Sequence, residues 1–179
     1  MSDRLFLALW PEGVVRLRLN RALPPLLRDV VGKAQRPDQW HVTLVFLGEV
    51  PRARQPALVE ALGEPGDADA FVVEPFEIHF DRLEYWRKSR ICCLTARYGA
   101  GKLADELRNR GSMAGFDVDK REFRTHLTLA RQVRHAPSVS LLEPVRWRVE
   151  RFALVRSVTD AGGSRYEPLR WWNLRGRHG

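Results

Sequence analysis

Residues 41–50 read HVTLVFLGEV and residues 125–131 read THLTLAR. Each stretch holds a His, one aliphatic residue, a Thr and a Leu in that order, although the whole chain has only five histidines. Short aliphatic runs bounded by Gly or polar residues predict strands. The two HxTL stretches are therefore predicted to be two strands of the same unusual composition.

The first motif has a polar face and an apolar face. Alternation along a strand places His41 and Thr43 on one side and Val42, Leu44 and Phe46 on the other. We expect the apolar set to face a core and the polar pair to face a cleft. Residues i and i+2 lie roughly 6.5–7 Å apart along a strand, so an imidazole and a hydroxyl can hold one tetrahedral anion.

The second motif repeats this arrangement, with His126 and Thr128 opposite Leu127 and Leu129. The two histidines are 85 residues apart, which suits two lobes facing each other across a cleft and not a helical metal pair. Two opposed imidazoles can cleave a phosphodiester, because one ring takes a proton from the nucleophile and the other gives one to the leaving oxygen. Arg131 directly follows the motif and is the candidate cation for the phosphate oxygens.

The composition is that of an ordinary globular protein. The chain has 179 residues, of which 44% are hydrophobic and 29% charged, and no apolar run approaches the roughly 20 residues that span a bilayer. The N-terminal MSDRLFLALWPEG predicts a first strand and not a signal peptide, so we expect a cytoplasmic protein. The adjacent Cys92 and Cys93 fit buried apolar residues better than a disulfide or a metal site.

The net charge of +8 comes mainly from arginine. A basic surface favours an anionic partner, with nucleic acid first. An arginine-rich composition also arises in GC-rich genomes, so the charge alone leaves both explanations open.

The order of elements predicts one α+β domain. A strand, a helix and an HxTL strand occur before residue 50, and the same order occurs again between residues 90 and 131. This repetition suggests the hypothesis of a pseudo-twofold duplication. No Pro- or Gly-rich linker divides the chain. Strands are predicted at 4–10, 40–47, 71–80, 90–97, 125–131, 147–157 and 165–174, helices from Pro11, from Pro51 and over 101–111, and a loop at 63–70.

Beyond the motifs, the chain resembles the 2H phosphoesterase superfamily, whose signature is a pair of HxTx motifs. The surrounding sequence is similar to its RNA 2′,3′-cyclic phosphodiesterase branch, historically labelled 2′-5′ RNA ligase. The resemblance covers nearly the whole chain and follows the family's order. Its segments are RLFLALWPE (4–12), RPDQWHVTLVFLGEV (36–50), FDRLEYWRKSRICCLTA (80–96), REFRTHLTLAR (121–131) and SRYEPLRWWNL (164–174).

The resemblance implies a single bilobal domain over residues 1–175. Two antiparallel-rich sheets would face a central cleft with helices on the outer faces, in pseudo-twofold symmetry, and residues 176–179 would form a disordered tail. It implies hydrolysis of an RNA terminal 2′,3′-cyclic phosphate to a 2′-phosphate without a metal or another cofactor. It also implies that a monomer acts on an RNA or oligonucleotide end, with no membrane partner, and that reverse 2′-5′ ligation uses the same groups.

Carried onto this chain, the resemblance makes His41 the proton donor to the leaving 3′ oxygen and His126 the proton acceptor that activates water. Thr43, Thr128 and Arg131 would bind the phosphate. The assignment of donor and acceptor depends on the family, because the residues themselves treat both histidines alike. One departure is the residue before the second His, which is Thr where many relatives have Pro; the catalytic pair is intact.

Two alternatives stay open: a related enzyme acting on another cyclic phosphate, and a non-catalytic basic RNA-binding module. Aromatic residues could offer a stacking platform for a base, although most aromatics in a domain of this size belong to the core. The candidates are Phe46, Tyr85, Trp86, Trp147, Tyr166, Trp171 and Trp172. Further arginines could extend the phosphate contacts, namely Arg36, Arg82, Arg87 and Arg90.

Overall fold

The computed structural model describes most of the chain, and the expected tail at 176–179 lies outside the described residues, as does the expected loop beyond Gly63. Within that part of the chain no helix is long and apolar enough to cross a membrane. The described residues are 1–63, 73–119, 121–137, 139–160 and 163–175.

The described strands form two antiparallel sheets. Sheet A has the strand order β3-β1-β8-β9, and sheet B has the order β2-β6-β5-β4-β7. The strands are β1 (Ser2–Leu9), β2 (Val31–Ala34), β3 (Val42–Pro51), β4 (Phe76–Trp86), β5 (Ile91–Thr95), β6 (His126–His135), β7 (Val139–Val149), β8 (Arg151–Asp160) and β9 (Gly163–Asn173).

The helices connect consecutive strands of the chain, and α4 joins two strands that are neighbours in sheet B. They are α1 (Gly13–Ala22), α2 (Pro24–Leu27), α3 (Gln55–Leu62) and α4 (Gly101–Met113). Helix α1 contacts β7, and α4 contacts both α3 and β3. The helix predicted from Pro51 begins later than expected, because β3 extends to that proline and a 3-10 turn separates it from α3.

The strand order follows the expected pseudo-twofold symmetry. In sheet A the first motif strand, β3, pairs with β1, and β8 and β9 follow. In sheet B the second motif strand, β6, pairs with β5, and β4 and β7 follow, with β2 added at the edge. Each motif strand is thus joined to its neighbour through a helix, by β1–α1–α2–β2–β3 in one half and β5–α4–β6 in the other.

A β-bulge interrupts the first motif. Thr43 and Val45 lie opposite consecutive residues of β1, so Leu44 is an extra residue in β3. A bulge reverses the alternation of the side chains beyond it. Leu44 and Val45 are therefore both buried, and Phe46 lies on the cleft face beside Thr43. The prediction that Phe46 shares the face of Leu44 is wrong for this reason.

The second motif carries the equivalent bulge. Thr128 and Ala130 lie opposite consecutive residues of β5, which makes Leu129 the extra residue. Leu129 and Ala130 are both buried, and Arg131 is exposed on the cleft face. In a regular strand Arg131 would lie on the opposite face from Thr128, so the bulge brings the two to the same side.

Two further predictions of strands need correction. The strand expected at 147–157 is two strands, because β7 ends at Val149 in sheet B and β8 begins at Arg151 in sheet A. Strand β2 was not predicted, since all four of its residues are exposed and carry no alternating pattern. The strand expected at 71–80 continues as β4 to Trp86, and residues 71–72 lie outside the described chain.

One apolar core draws on both sheets and on the helices. Leu7 of β1, Leu44 of β3, Leu127 of β6 and Leu107 of α4 belong to the same buried cluster. A smaller cluster on the cleft face of sheet A contains Phe6, Ala8, Ala153 and Val155. The two sheets therefore form one domain with a common core.

Three aromatic candidates for a base platform belong to this core. Trp147 and Trp172 are buried, and the Tyr85 hydroxyl donates a hydrogen bond to the Val133 carbonyl. This placement agrees with the expectation that most aromatics of the domain belong to the core.

Candidate active site

His41 lies at the start of β3 in an aromatic surround. The 3-10 turn Pro37–Gln39 places the Gln39 carbonyl oxygen 2.7 Å from Nδ1 of His41. Trp10 stacks on the imidazole with ring centroids 5.2 Å apart, and Tyr166 meets it edge-on at 4.9 Å. The ring is therefore held from both sides and at one nitrogen.

His126 begins β6 in an equivalent position. Its Nδ1 lies 2.7 Å from the Arg124 carbonyl oxygen, and the Trp86 ring lies 4.7 Å from the imidazole centroid. A carbonyl oxygen only accepts hydrogen bonds, so in both histidines Nδ1 carries the hydrogen. In each ring Nε2 is then the nitrogen that is free to exchange a proton with a ligand.

The predicted phosphate ligands lie on the same cleft. His41, Thr43 and Arg131 line one cavity of about 340 Å³ together with Phe46 and Tyr166. Arg131 belongs to sheet B, so this cavity joins the two sheets. Within the described part of the chain, Arg131 makes no ion pair and is free to bind an anion.

Thr128 lies on β6 two residues after His126 and is half-buried, like Thr43. Neither threonine hydroxyl has a hydrogen-bond partner among the described residues, so both can donate to an oxygen ligand. The structure thus brings His41, Thr43 and Arg131 together and places Thr128 beside His126 on the strand that carries Arg131.

Burial controls the protonation of both histidines. Burial is the largest cause that lowers the pKa of His41 to about 4, and the charges of Arg131 and His126 act in the same direction. The hydrogen bond to the Gln39 carbonyl raises this pKa but does not outweigh burial. Burial is also the largest cause that lowers the pKa of His126, and the charges of Arg124 and Arg131 act in the same direction. Both rings are therefore neutral near pH 7 in the unliganded protein.

Glu84 organises the surroundings of His126. Its Oε2 accepts hydrogen bonds from Trp86 Nε1 at 2.8 Å and from Arg124 at 3.1 Å, and its Oε1 accepts one from the Thr95 hydroxyl at 2.9 Å. The Arg124 guanidinium also lies 4.7 Å from the centre of the Trp86 ring. Burial by itself raises the pKa of Glu84, but these hydrogen bonds and the Arg124 charge outweigh it and lower the pKa below its usual value.

Sequence reasoning missed Trp10 and Glu84. Alternation in RLFLALW puts Phe6, Ala8 and Trp10 on one face, and alternation in DRLEYW puts Arg82, Glu84 and Trp86 on one face. That signal is present in the sequence, but neither strand carries a motif that would mark its polar or aromatic face as part of a site.

The cysteines take no part in the cleft. Both are free and buried, and burial raises the pKa of Cys92 to about 11 and raises that of Cys93 as well. Protonated, buried thiols are poor nucleophiles and poor metal ligands. In the described ranges no group of three or more His, Cys, Asp and Glu side chains is placed to hold a metal ion.

Known proteins resemble this chain in sequence. Residues 7–161 match the model of the 2′-5′ RNA ligase superfamily. The chain is 30% identical to the RNA 2′,3′-cyclic phosphodiesterase of Escherichia coli strain K12, over 96% of this chain and 97% of that protein. It is 33% identical to the protein of the same name from Thermus thermophilus, over 98% and 92% of the two chains.

The fold agrees with these sequence relationships. The crystal structure of E. coli LigT complexed with 3′-AMP superposes with a TM-score of 0.80 at 28% identity, over 97% of this chain and 99% of that one. A family model that covers most of the chain, relatives that match end to end and a shared two-sheet fold all agree. The chain belongs to the 2′-5′ RNA ligase superfamily.

Proposed function

We propose that the protein hydrolyses the 2′,3′-cyclic phosphate at the end of an RNA and leaves a 2′-phosphate. The observation that carries this proposal is the pair of equivalent histidines, each with Nδ1 bound by the carbonyl two residues before it and each on a strand that faces one cleft. The names of the E. coli and Thermus relatives support this substrate. The unit that acts is the bilobal domain of residues 1–175.

In the proposed reaction, water attacks the phosphorus atom in line with the bond to O3′. His126 Nε2 takes a proton from the water as the P–O bond forms, and His41 Nε2 gives a proton to O3′ as the P–O3′ bond breaks. The products are a 2′-phosphate and a 3′-hydroxyl. Afterwards His126 releases its proton to solvent and His41 takes one up, which restores the starting state.

The phosphate oxygens need donors in the transition state. The hydroxyls of Thr43 and Thr128 and the guanidinium of Arg131 supply them without a metal or another cofactor. The two cations beside His126, Arg124 and Arg131, favour its neutral form, which is the form that a base requires.

His41 has to be protonated to act as the donor, although burial disfavours that form in the empty site. The negative charge of the bound cyclic phosphate favours the imidazolium and offsets this penalty. Substrate binding therefore favours the protonated form of His41 that the donor role requires. Ligation of a 2′,3′-cyclic end to a 5′-hydroxyl would use the two rings in the same roles, with the 5′-hydroxyl in place of water and O3′ again as the leaving group.

The direct experiment is incubation of the purified protein, in EDTA, with an RNA that ends in a 2′,3′-cyclic phosphate. We expect a product with a 2′-phosphate. A 3′-phosphate product would contradict the assignment of the leaving oxygen, and no hydrolysis would contradict the substrate. Faster turnover of another cyclic phosphate in competition would favour a different member of the same enzyme class.

His41→Ala and His126→Ala test the pair. Each substitution should lower kcat by about 10²–10⁴-fold, because each removes one proton transfer. His79→Ala is the matched control, since His79 lies exposed on β4 with Glu77 as its partner at 2.8 Å. Near-full activity in either active-site variant would contradict the two-histidine mechanism. No hydrolysis by the wild type, with RNA binding unchanged in both variants, would instead point to a basic RNA-binding module.

Both histidines come from one chain, and Arg131 bridges the two sheets of that chain, so a monomer contains every proposed group. We place this monomer in the cytoplasm, a reducing compartment that suits its two free cysteines. Sedimentation of the active protein should give the mass of a single chain, and a dimer would contradict this part of the proposal.

A further inference from the structure

The cleft faces of the two sheets differ in chemical character. On sheet A the cleft face carries Phe6, Phe46 and Tyr166 beside His41. On sheet B, the cross-strand neighbours of His126 are Thr95 and then Arg82, which lie on the same face. One wall is thus largely aromatic and the other is polar and charged.

A second cavity, of about 600 Å³, opens beside His126 on sheet B. Thr95, which lies opposite His126, and Thr125, which precedes it, both line this cavity. Two inter-strand spacings, about 10 Å, separate the backbones of His126 and Arg82. We call this cavity the basic pocket; the residues that matter for its chemistry are Arg82, Thr95, Arg97, Tyr98 and Lys102.

The basic pocket has cations without partners. Arg97 and Lys102 are exposed and make no ion pair or hydrogen bond within the described residues. Arg82 has only a 3.8 Å contact with Asp81, and its Nε has no hydrogen-bond acceptor. The other charged lining residues include Glu122, Arg124 and Glu84, and the last two neutralise each other.

An exposed aromatic ring lies among these cations. Tyr98 is 80% exposed and lies between Arg97 and the start of α4. Exposed aromatic rings next to unpaired cations are the combination that binds single-stranded nucleic acid, because the ring stacks on a base and the cations bind the phosphates. A cyclic mononucleotide in the catalytic cleft would have no group to occupy this pocket.

A terminal 2′,3′-cyclic phosphate is the 3′ end of an RNA, so the rest of the strand has to leave the cleft in the 5′ direction. We propose that the basic pocket binds the nucleotides immediately 5′ of the cyclic end, with Arg82, Arg97 and Lys102 on their phosphates and Tyr98 on a base. This inference rests on the proposed function. It identifies the side chains that hold the RNA strand beyond its terminal nucleotide.

The test compares two substrates on one double variant. Arg97→Ala/Lys102→Ala should lower kcat/KM for a cyclic-phosphate-ended pentaribonucleotide by about tenfold at low salt. Its kcat/KM for a mononucleoside 2′,3′-cyclic phosphate should stay within about twofold, because that substrate does not reach the pocket. Both side chains are exposed and unpaired, so folding is not at risk.

Arg18→Ala/Arg21→Ala is the matched control. It removes the same charge from exposed positions on α1 that do not line the basic pocket. An equal loss in this variant would overturn the proposal in favour of a general effect of net charge. An equal loss for both substrates in the Arg97→Ala/Lys102→Ala variant would also overturn it.

Binding gives a readout that does not depend on turnover. A fluorescent pentaribonucleotide with a 2′-phosphate end should bind the double variant about tenfold more weakly than the wild type. The slope of log affinity against log salt should fall by roughly 0.7 for each phosphate that the variant no longer binds. If the wild type hydrolyses neither substrate, the proposed function fails. The difference in binding between the wild type and the double variant would still show whether the basic pocket binds RNA.

Tyr98→Ala separates the base contact from the charges. It should weaken binding of the pentaribonucleotide by about tenfold with little change in the salt slope, because stacking does not release counterions. An abasic oligonucleotide with the same phosphates should bind this variant as well as it binds the wild type. Unchanged binding of the ordinary RNA would remove Tyr98 from the site.

Discussion

At the scale of single residues, the backbone carbonyl two positions before each histidine controls its chemistry. The oxygens of Gln39 and Arg124 each accept from a histidine Nδ1 at 2.7 Å, which leaves both rings in the same tautomer. The two rings differ in their other neighbours. Trp10 stacks on His41, whereas His126 has the Arg124 cation two residues before it in the chain.

The lowered histidine pKa values predict the pH dependence of the reaction. The value of kcat/KM depends on the free enzyme, so its optimum should lie below pH 6.5, the ordinary pKa of His, and activity should fall as the pH rises through neutrality. The value of kcat depends on the complex, where the phosphate charge raises both pKa values, so its optimum should lie at higher pH. Initial rates from about pH 4 to 9 on one RNA substrate would give both profiles.

Arg131→Gln serves as the control for this pH dependence. The guanidinium lowers the pKa of both histidines, so its removal should move the kcat/KM profile to higher pH as well as slow the reaction. A wild-type kcat/KM optimum above neutral pH, or an unmoved profile in the variant, would contradict this account of the site.

At the scale of elements, the equivalent bulges at Leu44 and Leu129 shape the cleft. Each bulge buries two successive residues and turns the third residue after the Thr toward the cleft. In β3 that residue is Phe46, and in β6 it is Arg131. The positions of Phe46 and Arg131 are therefore equivalent in the two halves of the fold, and they carry an aromatic ring in sheet A and a cation in sheet B.

Glu84 on strand β4 should contribute both to stability and to the position of His126. Glu84→Gln keeps one acceptor oxygen and replaces the other with an NH2 group that cannot accept. The side chain can then no longer accept from both Trp86 and Thr95, which should loosen the surroundings of His126. We expect the free energy of unfolding in urea to fall by about 1–2 kcal/mol, mostly from the lost bond to Trp86 or Thr95, because Arg124 is half-exposed and its ion pair adds little. The rate kcat should fall severalfold.

Thr95→Val is the comparison for Glu84→Gln. It removes one hydrogen bond to Glu84 and leaves those from Trp86 and Arg124 in place, so it should have the smaller effect on kcat. If the two variants lower kcat equally, Glu84 does not act through Trp86 and Arg124.

At the scale of the whole molecule, a common core supports both halves of the cleft. Leu7 of sheet A and Leu127 of sheet B are buried in one cluster, on the face of each sheet away from the histidines. The distance between the two histidines therefore depends on packing between the sheets. Two separate cores would not fix the distance between the two imidazole rings.

The common core predicts a single unfolding transition. Leu7→Ala and Leu127→Ala should each lower the free energy of unfolding by about 2–5 kcal/mol, and each should shift the same transition. Urea unfolding followed by tryptophan fluorescence and by circular dichroism would measure this. Leu17→Ala, at a position 59% exposed on α1, should change stability by no more than about 0.5 kcal/mol. Two transitions, each moved by one variant, would show that the sheets unfold independently.

Local sequence was enough to predict the motif strands, the helix over 101–111, the helix expected from Pro11, which begins at Gly13, and the candidate pair His41 and His126. It also predicted the buried apolar positions of the motifs, apart from Phe46. Alternation and composition are properties of consecutive residues, and each HxTL strand carries both. Local pattern did not distinguish β7 from β8, because what separates them is the sheet that each joins.

Contacts between strands that are distant in the chain determine which side chains complete the cleft. Whether Phe46 and Arg131 face the histidines depends on a bulge, and a bulge is a relation between two paired strands that neither strand determines by itself. The roles of Trp10 and Glu84 depend in the same way on contacts across strands and loops far apart in the chain. Local sequence pointed to the two candidate histidines, and the pairing of distant strands determines what surrounds them.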